Sequence, residues 1–401
     1  MVKEFDVLVA GAGPAGAAAA AVLAGRGHRV GLVDRAAHPR PKLCGGLLTG
    51  KAMDALALVF GLDEAALSAR GGLFHQERGY VFLHNGRELL RGVAAEPFRF
   101  IDRPDFDALL AGLAVARGAV PLPGREVARC DPQAGTLTFR DGKSLRARFV
   151  IGADGANSVT RRALAAAGQA DRAAWKRDLA AAIEVELPVG SGPGEFPRAV
   201  RVPELHVGAP SAGYGWVFPG PRGPKVGICG LRRKDRDFGA IFYDYLRMLG
   251  VRQPEGIALR GHPLPYGNAL AQPCAGRLLL AGDAGGFVEP LFGEGIFYAL
   301  ATGAHAATAV CRALESGGGI GMDAGREYEG LLSRTVRPEL VWSNRLRWLL
   351  FAALQRFGPA PIKGFVGSAP AALAQMVHGR RSFRLLLPKR WEWGAEVGRS
   401  R

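Results

Sequence analysis

The chain has 401 residues, of which 48% are hydrophobic and 22% charged, enough for a sizeable core and two or three domains. Its five cysteines (Cys44, Cys130, Cys229, Cys274 and Cys311) are scattered, as are its eight histidines. That excludes a disulfide framework, gives no reason to expect a metal site, and reads as a reducing compartment. The formal net charge is +16, and +10 of it falls between Leu331 and Arg401, where thirteen Lys or Arg face three acids.

The first stretch in chain order is also the most informative. Phe5-Asp6-Val7-Leu8-Val9-Ala10 reads as a buried strand, Gly11-Ala12-Gly13-Pro14-Ala15-Gly16 as a glycine turn, and the alanine run after it as a helix. Arg29 to Val33 is a second strand, ending at Asp34-Arg35. Gly11 permits the tight turn, Gly13 lets backbone approach a pyrophosphate, and Gly16 lets helix and strand pack closely. The helix N-terminus then offers unpaired N–H groups to the phosphates. Asp34 stands eighteen positions after Gly16, where a carboxylate would take ribose hydroxyls. The pattern predicts a dinucleotide site and leaves FAD and NAD(P) both open. Val7 to Ala24 is uncharged and long enough to imitate a membrane span. Its alanine, glycine and Pro14, with Glu4 and Asp6 nearby, fit the strand–turn–helix reading better than a span or a signal peptide.

A loop over 36–50 holds Pro39-Arg40-Pro41-Lys42-Leu43-Cys44-Gly45-Gly46, and a helix is predicted over 51–60. Gly79 to Arg91 reads as strands turning at Asn85-Gly86. Asp102 is the predicted cap of a helix with Pro104 in its first turn, Phe106, Leu109, Leu110 and Leu113 on one face, and Gly118 at its end. A strand over 126–130 and a hairpin over 136–150, turning at Asp141-Gly142, lead into Asp154-Gly155-Ala156-Asn157-Ser158-Val159-Thr160-Arg161, a helix start that Asn157 or Ser158 could cap. Strands are predicted at 180–187, 205–208, 214–218 and 225–230, a mostly antiparallel second sheet. Another buried strand, 277–281, ends at Gly282-Asp283. A long helix is predicted over 295–314, and shorter ones over 325–334, 339–357 and 370–378.

Gly282-Asp283-Ala284-Gly285-Gly286 to Gly293-Glu294-Gly295-Ile296 delivers an acid from a strand into a glycine loop that opens a helix. A flavin needs such a device: backbone N–H groups near its ribityl-phosphate, and a dipole end that stabilises negative charge on the reduced ring.

With the Gly11–Gly16 fingerprint and Asp154-Gly155, this loop resembles the glutathione-reductase-type flavoproteins of the p-hydroxybenzoate hydroxylase fold, over residues 3 to 310. The resemblance implies an α/β protein with a Rossmann-like FAD-binding domain, an inserted, mostly antiparallel sheet domain and a C-terminal helical segment. The expected division is 1–75, 100–170 and 275–320 for FAD binding, 76–99 and 171–274 for the substrate sheet, and 321–401 for the basic helical segment. One dinucleotide fingerprint implies that FAD is the bound cofactor. The electron donor is NAD(P)H or a ferredoxin-like protein, between which the sequence does not choose. The implied FAD contacts are Gly11, Gly13, Pro14, Ala15, Gly16, Asp34, Arg35, Lys42, Cys44, Gly45, Arg103, Asp154, Gly155, Gly282, Asp283, Gly293, Gly295 and Ile296.

Within that group, hydroxylases usually carry a histidine soon after the Gly-Asp and a later glycine-asparagine pair. Here the positions read Gly285-Gly286 and Gly295-Ile296. Lys42-Leu43-Cys44-Gly45-Gly46 and Tyr214-Gly215-Trp216-Val217-Phe218-Pro219 resemble instead the geranylgeranyl reductase family, which saturates isoprenoid double bonds. The resemblance implies a hydrophobic prenylated substrate on a lipid, quinone or related group, with Tyr214, Trp216, Phe218 and Pro219 lining its cavity, and hydride transfer from reduced FAD. Cys44, Tyr214 and Glu294 are the candidate proton donors. An aromatic monooxygenase or halogenase of the same fold is the alternative reading.

In the tail, Leu346, Leu349, Leu350, Ala353, Leu354 and Phe357 fall on one predicted helical face, with Arg345, Arg347 and Arg356 nearby and Trp342 and Trp348 as interfacial side chains. That describes either a helix lying on an anionic membrane or one covering the second sheet. The expected location is cytoplasmic, peripheral on the inner face of the membrane in the first case. No motif supports nucleic-acid binding. Monomer and homodimer both stay open.

Overall fold

The computed structural model describes residues 5–166, 175–176, 179–210, 213–231, 237–316, 322–368, 370–384 and 393–394. Lys389, Arg390, Arg399 and Arg401 of the basic tail lie outside them. Two eight-stranded sheets organise the described chain. The architecture is mixed α/β, with helices at the C-terminal end.

The first sheet is built on β1 (Phe5–Ala10), flanked in parallel by β2 (Val30–Val33) and β9 (Ser144–Gly152). Val7 pairs with Val30 on one side and Phe149 on the other. β6 (Val120–Leu122) extends the sheet beyond β2, and β16 (Leu278–Leu280) with β15 (Cys274–Ala275) extends it beyond β9. β7 (Val127–Asp131) and β8 (Thr136–Phe139) join through β9. A strand paired on both edges and covered on both faces must be apolar where it is covered, which is why β1 is hydrophobic without a break from Val7 to Ala10.

Helix α1 (Pro14–Gly25) follows the first turn and is buried nearly all round, so it carries no polar stripe. It packs on α7 (Ile296–Glu315) without space between the backbones: a Cβ on Gly303 would lie 2.1 Å from the Ala15 carbonyl oxygen. The stretch that imitates a membrane span is therefore strand, turn and interior helix. Among the described residues no helix is long and apolar enough to cross a membrane.

The second sheet runs β14 (Arg260–Pro265), β10 (Leu179–Glu186), β13 (Lys225–Leu231), β12 (Gly213–Phe218), β11 (Glu204–Val207), β4 (His75–His84), β5 (Arg87–Phe100), β3 (Leu47–Leu48). Every pairing is antiparallel except β11 with β4. Between β4 and β5, Asn85 (φ 46°) and Gly86 (φ 73°) both take left-handed backbone, the type I′ turn that matches strand twist.

The remaining helices are α2 (Gly50–Phe60), α3 (Glu64–Ala69), α4 (Arg103–Ala116), α5 (Val159–Ala166), α6 (Phe238–Met248), α8 (Met322–Thr335), α9 (Arg337–Phe357), α10 (Ala360–Ser368) and α11 (Pro370–Val377). Asp102 precedes α4 as predicted, but its side chain does not cap the helix. Its carboxylate instead accepts from Lys225 Nζ (3.2 Å) and Arg222 Nη1 (3.1 Å), because the start of β13 and the turn before it bring two cations to that point.

Helix α9 corrects the predicted apolar face. Leu346 and Leu354 are buried and Leu350 half-buried, packed with Leu291, Phe292, Leu373 and Phe383. Leu349 and Phe357 are 65% and 68% exposed. The row 346/350/354 and the row 349/353/357 are about 60° apart around the helix, enough to place one inside and the other outside. Arg347 goes inside, its Nη1 donating to the Tyr266 carbonyl at 2.9 Å.

Candidate active site

A cavity of about 1440 Å³ takes its walls from both sheets, the loop around Lys42, and α11. Of the residues expected from the sequence to form the site, all line this cavity except Gly16 and Pro219.

At one end lies the glycine fingerprint. Gly11 has φ +101°, and a Cβ there would meet the Ala153 carbonyl oxygen at 2.3 Å. A Cβ on Gly16 would lie 1.7 Å from the Gly11 carbonyl oxygen, so Gly16 serves the packing of the turn and not the cavity wall. Gly13 differs: its Cβ direction is open to the cavity, with only the Arg40 guanidinium within reach at 3.7 Å. A bare glycine beside a cation at a helix N-terminus is the cradle a pyrophosphate needs. Asp34, at the end of β2, accepts from Ala12 N (2.8 Å) and Ala36 N (3.0 Å) and lies 3.4 Å from Arg40 Nη2. Burial alone would raise its pKa, but hydrogen bonding with His38, the Arg40 charge and the two amides outweigh it and hold the group well below the usual carboxylate range. This end of the cavity thus presents a negative charge at the end of β2 and a positive one beside the glycine turn.

Asp154 has another task. It accepts from Val159 N and Thr160 N at the start of α5 and from the hydroxyls of Ser158 and Thr160. Ser158 in turn accepts from Arg161 N at 2.8 Å, so of the two predicted caps Ser158 is used. Gly155 (φ +77°) has nothing within 4 Å of its Cβ direction and lines the cavity.

In the middle, Arg103 forms a buried bidentate pair with Asp107 at 2.9 and 3.0 Å. Lys42 Nζ sits 3.2 Å from His262 Nε2. Because His262 Nδ1 faces the Pro263 carbonyl at 2.7 Å, Nδ1 carries the proton and Nε2 accepts from Lys42. Burial lowers the pKa of both groups, and for His262 the Lys42 charge adds to it. Gly282 (φ +58°) donates to Thr302 Oγ1 at 2.9 Å and sets Asp283 at the cavity wall. The polypeptide from 282 does not enter a helix directly; a single 3₁₀ turn and an extended loop intervene before α7 begins at Ile296.

The far wall is the cavity face of the second sheet. Tyr214, Trp216 and Phe218 alternate on it, with neighbouring ring centroids 6.0 and 6.4 Å apart, while Val217 points into the core behind. The Tyr214 hydroxyl donates to the Phe292 carbonyl, and burial pushes its pKa well above the ordinary phenol value. Tyr80, Phe82, Phe98, Leu205, Leu373, Ala374 and Val377 continue the wall as an apolar arm.

Glu184, like His262, is a site residue that sequence reasoning missed. It lines the cavity, 8% exposed, with Oε1 accepting from Cys44 N and Oε2 from Trp216 Nε1, both at 3.0 Å. Burial raises its pKa against the pull of Lys225. The signal available was an acid inside the apolar run 179–185 of β10. Away from the cavity, His28, Cys311 and Glu315 bring three ligand-type atoms within 4.8 Å, but burial pushes the Cys311 thiol up to about 11 and Arg26 sits 3.9 Å from Glu315.

A glycine cradle with an acid at one end and a partly apolar chamber at the other defines a flavin-dependent oxidoreductase, and the residues present fit FAD. The FAD binding domain family matches residues 4–189. Geranylgeranyl diphosphate reductase of Rhodobacter capsulatus is 30% identical over 78% of this chain and 77% of its own length. Menaquinone reductase of Mycobacterium tuberculosis is 30% identical over 75% of each chain. The crystal structure of a geranylgeranyl bacteriochlorophyll reductase-like protein from Thermoplasma acidophilum superposes with a TM-score of 0.72, at 20% identity, over 99% of this chain and 97% of that one. The chain belongs to the geranylgeranyl reductase family of FAD-dependent oxidoreductases.

Proposed function

We propose that this protein reduces isoprenoid C=C bonds in a prenylated lipid or quinone. The observation that carries the reading is the second sheet's cavity face, where Tyr214, Trp216 and Phe218 join the apolar arm from Tyr80 to Val377 in the same chamber as the cofactor residues. An isoprenoid chain has no polar handle, so such a wall binds it by removing apolar surface from water, about 25 cal/mol per Å² buried. The names of the curated relatives point to prenylated diphosphates and quinones, and support the same class.

Bound FAD, when reduced, supplies hydride to one alkene carbon. This chain's residues then have to orient the alkene, exclude water and hold a proton for the other carbon. Of the three candidate donors, Tyr214 is poorly suited: its hydroxyl is engaged by the Phe292 carbonyl and its pKa is raised. Glu294 has both oxygens occupied, by Thr49 Oγ1 and Lys51 Nζ, each at 2.5 Å. Cys44 remains, in the loop between the cofactor end and the aromatic wall, its Sγ accepting from Gly46 N at 3.4 Å. The outward row of α9, with no exposed acid between 337 and 368, supports delivery of such a substrate from an anionic bilayer.

The test is product mass under anaerobic conditions. The purified flavoprotein is reduced chemically and mixed with a geranylgeranylated lipid or with menaquinone. A gain of two hydrogens per bond is expected. A product formed only with oxygen, and carrying an added oxygen atom, would overturn the reading.

A further inference from the structure

Glu184, Gly227 and Trp216 stand in one row across the second sheet, Glu184 paired with Gly227 and Gly227 with Trp216. Gly227 has no side chain for a specific reason. A Cβ there would lie 2.1 Å from Trp216 Cζ2, so the indole lies flat over the glycine and reaches the next strand with its N–H. What it reaches is Glu184 Oε2; the other oxygen of the same carboxyl holds the Cys44 amide. Gly45 completes the contact, since a Cβ there would strike the Phe218 ring at 2.6 Å and approach Trp216 Nε1 at 3.4 Å.

Both partners of Glu184 are donors that cannot accept, so both carboxyl oxygens must accept. A glutamine of the same shape offers one acceptor and one NH₂, and would set that NH₂ against either the indole N–H or the Cys44 N–H. The demand is for a carboxyl group specifically, and it joins the two motifs that carry the family resemblance.

We propose that Glu184 is a positioning residue for alkene reduction: its carboxyl fixes the Cys44 loop and the Trp216 indole relative to each other, and so sets the thiol and the aromatic wall on the two sides of the substrate. This rests on the reading given under Proposed function. A proton on Glu184 would still leave a lone pair on each oxygen for the two donors and would direct its O–H elsewhere; the raised pKa, caused first by burial, is compatible with either form.

The test uses the FAD-loaded full chain and two readouts. The first is the rate of Cys44 alkylation by iodoacetamide, followed by mass spectrometry with half-buried Cys274 as internal control. In Glu184→Gln, Cys44 is expected to label about tenfold faster with Cys274 unchanged, because a buried donor loses its acceptor. The second is the turnover number for alkene reduction, expected to fall about tenfold with KM moving less than about threefold. Trp216→Phe removes the competing N–H, so the double variant E184Q/W216F is expected to return to the W216F values in both readouts, and it remains informative if E184Q alone does not fold. Wild-type labelling rates in E184Q, or losses in the double variant that are simply additive, would overturn the proposal. If wild-type protein reduces no prenylated substrate, the functional reading fails, and the labelling rates still decide the role of Glu184.

Discussion

Lys51 Nζ lies 2.5 Å from Glu294 Oε2, with only 3% and 11% of the two side chains exposed. The lysine also sits within 6 Å of the ring centroids of Phe297, Tyr298 and Phe383. The pair ties the start of α2 to the loop that opens α7, and Thr49 Oγ1 adds a bond to the other Glu294 oxygen. Breaking one side of a buried pair leaves the other charge uncompensated, at about 3–5 kcal/mol. Lys51→Met is therefore expected to lose about that much stability in urea unfolding. Lys51→Met with Glu294→Gln should recover part of it. A single-variant loss under about 1 kcal/mol would show that the pair is solvated and contributes little.

The two glycines of the first turn should separate folding from cofactor binding. Gly13→Ala adds a methyl group into open cavity, so the apoprotein should keep its stability to within about 0.5 kcal/mol while FAD occupancy falls. Gly16→Ala puts a methyl group against a backbone carbonyl and should destabilise the apoprotein itself by about 3 kcal/mol or more. Apoprotein unfolding and flavin absorbance, measured on the same samples, check both. Equal effects of the two substitutions on apoprotein stability would contradict the division of roles.

Most of this site was legible because cofactor loops impose strict local demands. Gly11, Gly16 and Gly282 are glycines for backbone reasons that operate within a few residues, and Tyr214, Trp216 and Phe218 share a face because strands alternate. Distant pairings left no such trace. Asp102 looked like a helix cap, and only the arrival of β13 shows that Arg222 and Lys225 claim its carboxylate. Glu184 lies in a predicted strand where nothing local marks it out, and only the register sets it beside Gly227. The face of α9 was misjudged because the row 346/350/354 and the row 349/353/357 are both apolar, and periodicity alone cannot say which row the protein covers. Helix α6 and strand β14 went unpredicted, and β14 carries His262, which holds Lys42.

His378 gives the stability a pH dependence. It is buried beside the start of α2, its Nδ1 accepting from Gly50 N at 2.9 Å, and burial is the main cause holding its pKa at about 4 instead of 6.5. Between those values the unfolded chain binds the proton and the folded chain does not. The contribution is thus complete above pH 6.5 and is lost as pH falls toward 4, to a total of about 3 kcal/mol. His262, lowered by burial and Lys42, acts with the same sign. Asp34, with its lowered pKa, loses its contribution only below the ordinary carboxylate value of 3.8. Urea midpoints at pH 7.5 and 4.5 should therefore differ. His378→Asn keeps an acceptor for Gly50 and cannot titrate, so its midpoints should differ less. An unchanged difference would place the titration elsewhere.

The outward row of α9 decides whether the protein meets a bilayer. Val341, Trp342, Trp348, Leu349 and Phe357 are exposed there, with Arg345 stacked 5.0 Å from Trp342 and Arg356 5.6 Å from Phe357. The only acid between 337 and 368 is Glu339, which is buried and bonded to Ser382 and Phe383 N. Aromatic and aliphatic side chains interleaved with arginine suit the headgroup region of an anionic membrane. Deleting the tail would be a poor test, because Leu346, Leu354 and Phe383 belong to the core and their loss would unfold the chain. Leu349→Ser with Phe357→Ser changes only side chains that are about two-thirds exposed. Sedimentation with vesicles containing phosphatidylglycerol should show wild-type binding that weakens with salt, and at least about tenfold weaker binding by the double variant, since inserting such a side chain is worth about 1.5–3 kcal/mol. Unfolding midpoints should match. Equal vesicle binding by the two proteins, or none by the wild type, would assign the exposed row to another partner.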